Sequence, residues 1–192
     1  MTADTTDDII RDIKAELRAA MNGVAAARIR QSGMPYKLVF GVETPRLQEI
    51  AREFEPSHAL AMRLWQENIR ECRILATMLH PVDEFYPELA DLWVEQLDKS
   101  DVEVAQQLVF NIIARTDYAA EKAFCWMAAE QPMLQLCGFL TIGNLLRKDV
   151  QLSDDAIEEF LDQARSVQQS DWLPLRKAVQ NAMTYYEFRP KQ

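Results

Sequence analysis

Glycine is scarce in this chain: it occurs five times in 192 residues, and only twice beyond Gly41. Helix interiors avoid glycine, so such long glycine-free stretches favour helix. Cysteine is also sparse. Cys72, Cys125 and Cys137 stand far apart, odd in number and without a CxxC pair, which argues against a disulfide framework and points to a reduced, cytoplasmic protein. The two histidines, His58 and His80, are too few and too separated to suggest a His-based metal site or a Ser-His-Asp triad. A phosphate loop, GxGxxG and HExxH are all missing, so neither a metal nor a cofactor is implied. No apolar run approaches the length of a membrane-spanning helix. The acidic start, "MTADTTDDII", is not expected to act as a secretory signal.

Positive charge is also in deficit. The net charge is -9, and residues 83 to 135 hold eleven acids and three bases, so that segment alone carries -8. Nucleic acid repels a negative protein at long range, so any DNA contact must come from a local basic surface.

What is present is helical pattern. Apolar residues make up 48% of the chain, and a chain of this length buries roughly 70% of its unfolded surface without a disulfide or metal. Val102, Ala105, Leu108, Val109, Ile112 and Ile113 repeat at three and four, which lines one face of a helix. Candidate caps divide the pattern. Thr6 or Asp7 opens a first helix expected to run to about Met21, and Thr44-Pro45 opens another. Ser57, Ser100 or Asp101, Thr116 or Asp117, Ser153, and Ser170 or Asp171 mark further starts. From residue 84 onward the helices pair. First members are expected near 84, 117 and 153, with partners near 101, 132 and 171. A pair every 30 to 45 residues suggests an all-α solenoid, best matched by a HEAT-like α-α superhelix. The expectation is a single domain over 1–192, with capping helices in 1–36 and repeats in 37–188.

One stretch departs from this regularity. "KLVFGVETPRLQEIAREF", Lys37 to Phe54, carries an extended apolar run stopped by Gly41 and restarted by Thr44-Pro45. It is read as a buried connector, Leu38 to Phe40, leading into the first repeat. Trp65, Trp93 and Trp126 have apolar neighbours at helical spacing and are expected in the core. Trp172 follows a cap and could staple the helix start or face a groove. Glu67 and Glu71, four apart and close to Arg63, Arg70 and Arg73, suggest an ion-pair lattice. The acids Asp154, Asp155, Glu158 and Glu159 lie where a helix dipole favours them.

In a solenoid the second helices line one surface, so their cations matter most. Arg70, Arg73, Arg147, Lys148, Arg176 and Lys177 fall there. They are either a solvated face or a stripe of phosphate contacts.

"FGVETPRLQEIAREF", followed by "ALAMRLWQENIRECRILATML", resembles the N-terminal half of the DNA alkylation repair enzyme family, the HEAT-like repeat DNA glycosylases. The marks are the Phe-Gly-Val turn, the Thr-Pro helix start, Leu64-Trp65, and Glu71 leading into an apolar helix. The pattern continues more weakly to about residue 188. The resemblance implies a curved helical array that holds duplex DNA. It also implies metal-free hydrolysis of the N-glycosidic bond of N3- or N7-alkylated purines, with an aspartate stabilising the positive charge that builds on the sugar. Tryptophans and an arginine complete such a site.

Carried onto this chain, those functional positions fall on different residues. The family's paired tryptophans fall on Asp101 and Val102, after Lys99-Ser100. The aspartate falls on Gln106, the arginine on Leu136, and the last tryptophan near Asn181. Gln106 can bond a sugar or water but supplies no anion. Glu103, about one turn away, is the nearest carboxylate and serves only if it faces the groove. Glu103 and Gln106 are therefore the catalytic candidates. Three functions stay open: an active alkylpurine glycosylase with a substitute carboxylate, a DNA-binding family member without that chemistry, and a protein-interaction solenoid. No membrane role is expected.

Overall fold

The computed structural model describes residues 3–34 and 36–188. They hold eleven α-helices and no strand; one isolated parallel bridge joins Leu38 to Ile69. The chain divides into two compact units, Met1–Phe85 and Tyr86–Gln192.

In the first unit, α1 spans Ala3–Ala19, α2 Gly23–Gln31, α3 Thr44–Ala51, α4 His58–Trp65 and α5 Arg70–Leu79. Ile10, Ile13 and Leu17 form the buried stripe of α1, which packs on α4. Two ion pairs tie these elements further, Arg63 to Asp7 at 2.8 Å and Lys14 to Glu67 at 2.9 Å. α1 begins before Thr6 and Asp7 and ends at Ala19, because Asn22 caps the next helix: its side chain accepts from Ala25 N at 3.1 Å. Ser57 caps α4 through Leu60 N, as its sequence position suggests. Thr44 is not a cap. Glu43 occupies the cap position without a side-chain bond, and Pro45 sits in the first turn of α3.

The Lys37–Phe54 stretch owes its conformation to a carboxylate. Glu71 is fully buried and accepts from Phe40 N at 3.1 Å and Gly41 N at 2.8 Å. Arg70 Nη1 donates to Glu71 at 2.9 Å and to Val42 O at 3.1 Å. Two charged side chains thereby satisfy three backbone groups of an irregular segment that no helix or sheet could serve. Gly41 adopts φ +74°, and a Cβ there would lie 2.4 Å from both Ala26 N and Asn22 O. No other residue fits that close approach. Val39, Phe40 and Val42 are buried, whereas Leu38 is 39% exposed, so the connector is buried from Val39 onward.

The second unit consists of three helix pairs: α6 (Pro87–Glu95) with α7 (Val102–Asn111), α8 (Ala119–Met127) with α9 (Pro132–Arg147), and α10 (Asp154–Val167) with α11 (Leu173–Phe188). First members start at 87, 119 and 154, close to the spacing read from the sequence. α9 is the central element and is buried along nearly its whole length, from Met133 to Leu146. A helix apolar on all sides needs neighbours on all sides, and α6, α7, α8 and α11 supply them. Small residues permit the close approach. A Cβ on Gly138 would meet Ala123 O at 2.8 Å and Met127 N at 2.9 Å, and one on Gly143 would meet Ala182 at 3.4 Å. Trp65, Trp93 and Trp126 are all core residues. Trp126 also donates its indole N–H to Asp91 at 2.8 Å.

Candidate functional site

Charge in the second unit is sorted by helix row. The first helices, α6, α8 and α10, hold nine acids and two bases, a net of -7. The second helices, α7, α9 and α11, hold two acids and three bases, a net of +1. The acidity of the 83 to 135 segment therefore lies mostly on α6, α8 and the connecting turns. α9 carries no acid at all.

The second helices also form the surface relief. Val102, Gln106 and Phe110 recur every four residues along α7, so they lie on one face. Across from them, Leu136, Leu140, Gly143 and Arg147 line α9, and Lys177, Asn181 and Tyr185 line α11. Two cavities open between these rows. The first, of about 300 Å3, is walled by Val102, Gln106, Leu136, Lys177 and Asn181 among others. The second, of about 260 Å3, includes Phe110, Asn144, Arg147 and Tyr185. Leu140, Ala178 and Asn181 belong to both, so the cavities adjoin.

The first cavity collects the positions at which the sequence comparison expects the family's chemistry. Val102, Gln106, Leu136 and Asn181 meet in one wall, although they span three helices. Asp101 does not join them. It is buried and structural, accepting from Asp98 N at 2.9 Å ahead of α7. Nor does Glu103 line either cavity. Gln106 shares the face of Val102, one α-helical turn on, and Glu103 is rotated off it. Val102 leaves the core because the buried stripe of α7 is Val104, Ala105, Leu108 and Val109. No carboxylate is found among the described residues that line the first cavity.

The cations divide between the units. Arg70 is corrected as a surface contact: it is 3% exposed and held by Glu71 and Val42. Arg73 is half-buried, its guanidinium 5.5 Å from the Tyr36 ring centre and 5.4 Å from that of Trp65. That stacking uses its face for packing. In the second unit, Arg147, Lys148, Arg176 and Lys177 are all exposed. Arg147 and Lys177 line the two cavities. Lys148 is the C-cap of α9, and Arg176 donates to Ser170 O at 3.0 Å.

Phe110, Asn144 and Tyr185 escaped the sequence reading. Phe110 could have been found by extending the four-residue row of Val102 and Gln106. Asn144 could not, because nothing local distinguishes a buried asparagine on an apolar helix from a surface one. Among the described residues no group of three metal-ligating side chains occurs, and no helix is long and apolar enough to cross a membrane.

The family model described as DNA alkylation repair enzyme matches residues 13–186. Among solved structures, the chain is similar to one described as "a new family of proteins related to the HEAT-like repeat DNA glycosylases with affinity for branched DNA structures". The two are 20% identical with a TM-score of 0.76, and the match covers 91% of this chain and 74% of that one. At that identity the likeness shows the fold, which is all-α and HEAT-like. No curated protein matches the chain.

Proposed function

Because the chain belongs to the DNA alkylation repair enzyme family, we propose that it binds DNA on the α7–α9–α11 face without hydrolysing the N-glycosidic bond. One observation carries this reading. The wall that gathers Val102, Gln106, Leu136 and Asn181 offers amides, apolar groups and the ammonium of Lys177, but no carboxylate among its described residues. Glycosidic cleavage builds positive charge on the sugar and is accelerated by an adjacent anion. A neutral carboxamide at Gln106 provides hydrogen bonds without that charge, and the Lys177 ammonium in the same wall opposes it.

Binding is supported by the charge sorting. Phosphates meet a second-helix row of net positive charge in which Arg147, Lys148, Arg176 and Lys177 are exposed. The acids of the first helices repel DNA from the opposite row and so restrict where it docks. The solved relative's affinity for branched DNA makes a junction the natural second probe beside a plain duplex.

The test is incubation of methylated duplex DNA with the full chain, followed by analysis of free bases. No 7-methylguanine or 3-methyladenine above a buffer control is expected, alongside measurable binding of duplex or junction. Release that disappears in Glu103→Gln would establish an active glycosylase with a substitute carboxylate. Absent or salt-independent binding would instead point to a protein partner.

A further inference from the structure

Asn144 is an anomaly in α9. It is 4% exposed, and its Oδ1 is buried without a hydrogen-bond partner. Buried amides are ordinarily paired, so an unpaired one in a native wall calls for a reason. Asn144 lines the second cavity beside the apolar Phe139 and Ala182 and the exposed Asn181. At its rim stand two aromatic rings that remain open to solvent, Phe110 at 44% and Tyr185 at 38% exposure. Arg147 completes the lining with an exposed guanidinium.

We propose that this cavity is a pocket for a single unpaired nucleobase of a DNA strand bound on the same face. The proposal rests on the DNA-binding reading above and goes beyond it by naming what enters. A cavity of about 260 Å3 has room for one planar ring system and too little for a base pair. Phe110 and Tyr185 provide ring faces, on which any base can stack. Asn144 provides the polar discrimination. Rotation about its χ2 brings either amide oxygen or nitrogen to the cavity, since terminal sp² torsions are broad. Whichever end faces the cavity makes one hydrogen bond to the base edge, as donor or as acceptor. Arg147 meets the phosphate that travels with the extruded base. Paired bases hide their faces inside the stack, so the pocket selects bulges, junction centres and frayed ends over intact duplex.

The experiment is fluorescence anisotropy on the full chain with two probes: a fully paired duplex, and the same duplex carrying one unpaired adenine. The bulged probe is expected to bind roughly tenfold tighter, the order that stacking of one base provides. Asn144→Leu, of similar volume and without the unpaired amide, is expected to abolish most of that preference and leave the paired duplex unchanged. Tyr185→Ala, at an exposed position that does not threaten folding, is expected to weaken the preference as well. It should also relieve quenching of 2-aminopurine placed at the bulge. Equal binding of the two probes by the unmodified protein would overturn the pocket while leaving DNA binding intact. So would a preference that survives both substitutions. Failure to bind either probe would overturn the DNA reading itself, and the pocket with it.

Discussion

Arg70 on α5 and Arg147 on α9 are both arginines at the ends of second helices, yet their surroundings give them opposite roles. Arg70 begins its helix, is 3% exposed, and serves Glu71 and the carbonyl of Val42. Arg147 ends its helix, is exposed, and lines an open cavity. The difference originates in the preceding chain. The first unit contains an irregular segment, Lys37 to Glu43, whose backbone groups need partners, and the Arg70–Glu71 pair supplies them. In the second unit Arg176 also donates to a loop carbonyl, Ser170 O, but it and Arg147, Lys148 and Lys177 all stay exposed. A cation's helix position therefore says little about its role until the backbone around it has been accounted for.

The largest expected effect breaks the first half of this comparison. Glu71→Ala leaves Arg70 buried without its anion and orphans the N–H groups of Phe40 and Gly41. A loss of about 3–5 kcal/mol is expected, read as a lower midpoint in chemical denaturation. An unchanged midpoint would mean that the pair is dispensable to the fold.

A smaller effect extends the same idea to titration. His80 is 4% exposed, accepts or donates at 2.9 Å to His58 Nδ1, and contacts Pro81 O at 2.7 Å. Burial lowers its pKa, opposed by the bond to Pro81 and aided by His58. The neutral form is thus favoured in the fold, while the unfolded chain still protonates near the ordinary value of about 6.5. Stability is retained above that pH and falls as pH drops from there through the lower folded pKa. His80→Gln is expected to flatten that fall in thermal melts taken over the window. An identical pH slope in the variant would exclude His80 as its source.

The smallest expected effect concerns the other side of the comparison. Replacing Arg147, Lys148, Arg176 and Lys177 together with Ala is expected to move stability little, within about 0.5 kcal/mol per exposed site. A large loss in denaturation would show that these cations, like Arg70, hold the fold.

The helix pairs were legible because their signals are local: apolar spacing, caps such as Ser57 and Ser153, and prolines at helix starts. Ser153 does cap α10, accepting from Ala156 N at 3.2 Å. The role of Glu71 was not legible. Beside Glu67 it looks like one rung of an ion-pair lattice, and of these two acids it is Glu67 that reaches a distant cation, Lys14. Glu71 instead serves backbone thirty positions earlier, a contact no periodicity encodes. The candidate site was half legible. Matching Val102, Gln106, Leu136 and Asn181 to the family's functional positions anticipated residues that do share one wall. Its electrostatics were obscured, because charge summed along the chain mixes two helix rows that the fold separates.

The central claim is that the second-helix row of the second unit contacts phosphate. It is tested most directly by the salt dependence of duplex DNA affinity for the unmodified chain and for the Arg147, Lys148, Arg176 and Lys177 alanine variant. Each phosphate contact contributes about -0.9 to the slope of log affinity against log salt, so removing four contacts should flatten that slope by about three to four. Parallel slopes for the two proteins would contradict the account.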